Sequence, residues 1–110
     1  LATRQTALRI YSAPDGRRPF QEWIDFLKDQ DGRARILVRL ERFRLGNVGD
    51  WKSVGEGVLE LRIDWGPGYR VYFAQDGKEI VLLLCGGEKG TQVRDIKDAK
   101  KYWRDYRGRK

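Results

Sequence analysis

The stretch Gly57-Val-Leu-Glu-Leu-Arg-Ile-Asp-Trp65, the glycine-proline turn Gly66-Pro67-Gly68 and the run Tyr69-Arg-Val-Tyr-Phe73 constrain this chain more than any other feature. Side chains alternate across a strand with a period of two, so Leu59, Leu61, Ile63 and Trp65 share one face and Glu60, Arg62 and Asp64 the other. The pattern predicts a β-hairpin that buries its apolar face. Its other face displays Glu60, Arg62 and Arg70, with Tyr72 beside them. Two arginines and a carboxylate on one sheet face make a patch of the size and charge to hold a phosphate.

The segments around the hairpin predict an α+β fold in the order β-α-α-β-β-β-α. Thr6 to Tyr11 reads as a first strand, closed by the turn signal Pro14-Asp15-Gly16. A helix then starts near Arg18-Pro19, with Phe20, Trp23, Ile24 and Leu27 on one face at helical spacing. Asp31-Gly32 is expected to break it. A second helix runs from about Arg33 to Leu45, with Ile36, Leu40 and Phe43 inward, so the two helices form an antiparallel hairpin. Gly46 to Gly57, which contains Trp51 and Lys52, reads as a loop. Asp76-Gly77 leads into Glu79 to Cys85, an unbroken apolar run that fits an interior strand. A last helix spans about Gln92 to Tyr106. The expected architecture is a mixed or antiparallel sheet of about four strands, a helical hairpin and a C-terminal helix, in one domain over residues 1–110.

Composition removes several functions. The chain has no histidine and one cysteine, Cys85, so zinc and redox-metal ligation, Ser-His-Asp and Cys-His chemistry all lack residues. No cofactor motif is present either: Gly86-Gly87-Glu88-Lys89-Gly90 lacks the spacing of a phosphate-binding loop, and Gly55-Glu56-Gly57 precedes a strand. A lone cysteine suits a reducing compartment, and the cytoplasm is the expected location. No apolar run approaches the roughly 20 residues of a membrane span. The chain opens on Leu, so its start is expected to lie upstream or to have been processed.

Charge points toward a polyanionic partner. There are 23 Lys and Arg against 16 Asp and Glu, a net +7. Eight Lys or Arg against three Asp fall between Arg94 and Lys110, which reads either as a solvated helix with a basic tail or as a binding surface. Arg35, Arg39 and Arg42 line one stripe of the second helix, with the same two readings. Trp51, Trp65 and Trp103 fit core or interface better than base stacking.

The chemistry these residues suit is RNA cleavage without a metal. The 2′-hydroxyl attacks the neighbouring phosphorus once its proton is taken, and cationic donors stabilise the charge that grows on the phosphate oxygens. Lys52, Glu60, Arg62, Arg70, Tyr72 and Lys89 are the candidates. The plainer reading is a set of cross-strand ion pairs on an exposed face.

Taken with the element order, Glu60-Leu-Arg62, Gly68-Tyr-Arg-Val-Tyr-Phe73, the strand ending in Gly86-Gly-Glu-Lys89 and the closing Asp95-Ile-Lys-Asp-Ala99 helix resemble the RelE/ParE toxin superfamily, in its phage-related HigB-like, addiction-module killer branch. The resemblance runs from about Leu8 to Tyr106. It implies a toxin of a type II toxin–antitoxin pair, held by an acidic antitoxin and cutting mRNA in the ribosomal A site. It puts Arg70 at the scissile phosphate, Glu60 and Arg62 where RelE has two strand lysines, and Lys89 near a post-strand basic residue. Asp95 and Lys97 align with an Asp-Tyr-His element of some HigB toxins, so Ile96 and Lys97 stand where those toxins carry tyrosine or histidine. Glu60 is then the available base, with Lys89 or Lys97 as acids or charge stabilisers. The resemblance keeps as alternatives a ParE-type toxin that poisons DNA gyrase and cuts nothing, or a degenerate member that retains only antitoxin binding.

Overall fold

The structure is a computed structural model that describes residues 6–109. Its elements are β1 (Ala7–Ile10), α1 (Pro19–Phe26), α2 (Gln30–Arg44), β2 (Trp51–Gly55), β3 (Val58–Ile63), β4 (Tyr69–Asp76), β5 (Ile80–Glu88), a 3-10 turn (Lys89–Thr91) and α3 (Gln92–Arg109). They build a mixed α+β fold around a five-stranded sheet in the order β1-β5-β4-β3-β2. Only β1 with β5 is parallel; the remaining pairs are antiparallel.

The sheet divides two cores. On one face Phe20 and Ile24 of α1 and Ile36, Leu40 and Phe43 of α2 close over Leu61, Ile63, Val71 and Phe73. On the other, Ala99 and Trp103 of α3 close over Val58, Tyr72, Leu82 and Leu84. The hairpin therefore buries both faces, because its odd and even side chains each meet a helix.

Two local expectations are corrected. The Gly46–Gly57 stretch is not all loop, since Trp51–Gly55 is an edge strand paired to β3 from Trp51↔Leu61 to Gly55↔Val58. It has little apolar alternation because Trp51, Lys52 and Ser53 are all exposed, on both faces of the strand. Nor does Asp31-Gly32 break the helices. The break falls at Leu27, whose backbone is extended, and Gly32 sits in the first turn of α2. Asp29 caps that turn, its carboxylate accepting from Gly32 N–H at 2.9 Å and from Tyr69 O–H at 2.8 Å. A Cβ on Gly32 would lie 2.6 Å from the Tyr69 ring, so close packing requires the glycine.

Gly87 has a similar duty on the opposite face. A Cβ there would run into the Asp95 carboxylate, which α3 carries down against β5. Gly87→Ala is expected to lift the start of α3 and lower stability by about 1–3 kcal/mol, the usual cost of overpacking. Thermal denaturation followed by circular dichroism measures it.

Candidate functional site

Strand register assembles the cluster. Lys52, Glu60, Tyr72 and Cys85 form one row across β2, β3, β4 and β5, and Arg62, Arg70 and Gly87 form the next. Residues directly opposite one another in antiparallel strands share a face, so all of these point to the side that α3 covers. The alternation alone predicts an open display of Glu60 and Tyr72. Instead both are 0% exposed, because α3 crosses the face and seals it.

Glu60 is the hub. Its carboxylate accepts from Gln92 Nε2 at 2.8 Å, Tyr72 O–H at 3.0 Å and Arg62 Nε at 3.2 Å, and Arg70 Nε lies 3.8 Å away. Burial opposes the charge, but the bonds from Gln92, Arg62 and Tyr72, with the charge of Arg70, outweigh it and hold the carboxyl below its ordinary value. Burial, with the Glu60 charge beside it, pushes the Tyr72 phenol up, so it stays a donor. A carboxylate so enclosed and so well supplied with donors is an anchor rather than a proton acceptor for a bound ligand.

The two arginines face outward from that anchor to different degrees. The Arg62 side chain is 34% exposed and that of Arg70 is 12%. Arg70 Nη1 donates to the Tyr69 carbonyl at 3.3 Å, while its buried Nε has no hydrogen-bond partner. That Nε is sealed from solvent and turned toward Glu60, so a ligand at this rim meets only the small exposed part of the Arg70 side chain. Lys89 completes the rim: its N–H bonds the Gly68 carbonyl at 2.8 Å. A Cβ on Gly68 would sit 3.3 Å from Arg70 Nη1 and 3.4 Å from Lys89 Cβ, so this glycine lies wedged between the two cations. Its φ of +80° also favours glycine.

The other candidates divide. Lys52 is exposed on β2, in the Glu60 row. Asp95 is only 6% exposed and accepts from the Thr91 hydroxyl at 2.5 Å, which ties it to the turn carrying Lys89. Its position makes it a fastener of that turn rather than a ligand contact. Lys97 is exposed on α3 with Val93 and Arg94 around a shallow hollow, away from the Glu60 hub. Gln92, the first residue of α3, escaped the sequence reading. A polar residue at a helix start carries no signal that its amide crosses to a buried carboxylate.

The basic stripe of α2 is mostly engaged. Arg39 donates to the Asn47 and Val48 carbonyls at 3.2 and 2.5 Å, and Arg35 stacks on Trp65 at 3.7 Å. Arg35 and Arg42 border a hollow of about 760 Å³ with Asp31, Asp50 and Asp64, so its charge is mixed. Trp103 is core, and Trp51 lies 36% exposed on the edge strand.

Among the described residues, no group of three or more acidic, cysteine or histidine side chains could hold a metal ion. No described helix is long and apolar enough to cross a membrane. A family model described as phage-derived, Gp49-like protein matches residues 22–104, which include every residue of the cluster. An uncharacterized protein of Haemophilus influenzae is 51% identical over 81 residues, 74% of this chain and 82% of that protein.

Proposed function

This chain belongs to the phage-derived Gp49-like family, and on that premise we propose that it is the toxin of a toxin–antitoxin pair that cuts messenger RNA on the ribosome. The resemblance to RelE and HigB toxins supports the reading. The observation that carries it is Arg70, which Glu60 holds from the inner, Nε side at 3.8 Å while its small exposed part stands at one rim with Arg62 and Lys89. In this reading the scissile phosphate takes the exposed parts of Arg70 and Arg62. Both cations then stabilise the charge that grows on its oxygens as the 2′-hydroxyl attacks. Lys89 and Lys52 extend the positive field along the backbone of the RNA. Glu60 fixes the arginines; the 2′-hydroxyl proton passes to water as its oxygen bonds the phosphorus, and the P–O5′ bond breaks with the leaving oxygen taking a proton from water or from an exposed lysine ammonium. No metal takes part.

The partners follow from charge. An acidic antitoxin neutralises a chain of net +7, and a ribosome-bound substrate places the activity in the cytoplasm.

One observation favours a second reading. The cluster's only carboxylate is sealed under α3, so a non-cutting, gyrase-directed toxin of the ParE type is the alternative. Mapping mRNA 5′ ends on ribosomes after induced expression separates them. New ends within codons at stalled ribosomes are the expected result; gyrase–DNA cleavage complexes with intact mRNA would replace the first reading by the second.

A further inference from the structure

The hollow of about 760 Å³ between α2 and the end of β3 meets the arginine cluster at Arg62. Arg62 bonds Glu60 through Nε at 3.2 Å, and the same residue lines the hollow. It reaches both because it stands at a corner of the sheet. The rungs of β2 with β3 begin at Trp51↔Leu61, and β3 runs past them to Ile63. At this corner Arg62 N–H bonds the Asp50 carbonyl at 2.9 Å, and Asp50 lines the hollow as well. A strand of RNA whose phosphate rests at Arg62 and Arg70 therefore has this hollow beside it.

One wall of the hollow is a plane. The Arg35 guanidinium lies 3.7 Å from the centre of the Trp65 ring, and Trp65 is packed against the core. Arg35 is exposed, so the face of its guanidinium turned from the ring is open. Bases stack on guanidinium planes as they do on aromatic rings. The hollow also carries charge of both signs. Arg35 and Arg42 share it with Asp31, Asp50 and Asp64, and among the described residues no ion pair joins any of the five. A bare phosphate would meet repulsion from the three carboxylates. A nucleotide can turn the amino group of its base toward them instead, and a carboxylate accepts from such a group. The same carboxylates disfavour an acidic peptide.

We propose that the hollow is the subsite for the nucleotide beside the scissile phosphate, with the base stacked on Arg35 and its edge turned to the aspartates. The inference rests on the reading of this chain as an RNA-cutting toxin, and adds where the neighbouring base lies and which bases fit. Arg42 stands about two turns along α2 from Arg35, on the same stripe, and takes the next phosphate. Adenine, cytosine and guanine each present an amino group to the carboxylates. Uracil presents carbonyl oxygens on either side of one N–H, and is the base the subsite rejects. Arg35 is thereby a specificity-determining residue, apart from the arginines that stabilise the developing charge.

Short 2′-O-methyl RNA oligomers, whose attacking hydroxyl is blocked, test this when titrated into the isotope-labelled chain. Oligo(A) and oligo(C) should shift the Trp65 indole and the amides of residues 63–65. They should bind about tenfold tighter than oligo(U), the discrimination that one well-placed base contact gives. Arg35→Ala should weaken oligo(A) about tenfold by removing a stacking plane, with the melting temperature unchanged because the side chain is exposed. Arg35→Lys keeps the charge without the plane, and should stay closer to Arg35→Ala than to the parent. The double variant Asp50→Asn, Asp64→Asn should bind oligo(U) as well as oligo(A), because an amide both donates and accepts. The proposal is overturned by no shift at Trp65, by equal binding of oligo(A) and oligo(U) to the parent, or by full rescue with lysine. An acidic peptide that shifts Trp65 would overturn it too, by assigning the hollow to a protein. None of these readouts needs the ribosome or cleavage. Oligomer binding at Trp65 with intact mRNA in cells would remove the nuclease reading and leave the hollow an RNA site; cut mRNA without Trp65 shifts would remove the subsite alone.

Discussion

Arg70→Ala is expected to lower RNA cleavage about 10²–10³-fold, the usual effect of removing a donor aimed at developing negative charge. Arg70 is held on its inner side by Glu60 and keeps a small exposed part at the rim, where its planar fork can hold two phosphate oxygens together. The fold should survive the change, because Glu60 keeps Arg62, Tyr72 and Gln92 as partners. Arg70→Lys restores a charge without the fork and should recover only part of the activity. Lys97→Ala, on the exposed side of α3, should stay within about twofold of the parent. Growth arrest on expression and cleavage of ribosome-bound mRNA measure the series, with circular dichroism confirming folding. Undiminished arrest by a folded Arg70→Ala protein would remove the cluster from the toxic activity.

The largest loss of stability is expected from Glu60→Ala. That change leaves two arginine side chains beside each other without their counter-charge, and it strips Tyr72 and Gln92 of their acceptor. Breaking a buried pair by removing one partner costs about 3–5 kcal/mol, and the lower end applies because water reaches the third of Arg62 that is exposed. A drop of more than about 10 °C in melting temperature follows for a domain of this size. The pH dependence has a definite sign. The Glu60 carboxyl is held below its ordinary 4.5 in the fold and returns to that value on unfolding. Its contribution is therefore complete above that value and disappears as the pH falls through the lower folded one. Glu60→Gln removes this titration, so the gap in stability between parent and variant should narrow on acidification. A gap that stays constant from about pH 6 to pH 3 would show that the carboxylate is not the anchor described.

How much of this was legible beforehand depends on what each feature rests upon. The β3–β4 hairpin, the interior strand β5 and the inward faces of α1 and α2 were readable, because periodicity records which side chains meet a core. Strand β2 was not, since Trp51, Lys52 and Ser53 all remain exposed and its definition comes from pairing with β3. Gly32 reads as a breaker until Tyr69 is placed against it. Within the site, Arg62, Arg70 and Lys89 could be grouped from strand order alone. The burial of Glu60 could not, because it depends on where α3 crosses the sheet, a tertiary fact without a local signature. Gln92 depends on the same crossing.

Glu60 meets both Arg62 and Arg70 at Nε, the inner corner of each guanidinium. Arginine is among the side chains with the most rotamer freedom, and ordering one at a binding surface costs about 0.5–1.5 kcal/mol. Where a buried carboxylate fixes the inner corner, that freedom is lost when the chain folds and not when a ligand arrives. A phosphate reaching this rim finds its donors already oriented, so association spends little on arranging them. The same restraint makes the rim selective by shape: an anion that cannot fit the fixed fork gains little from charge alone.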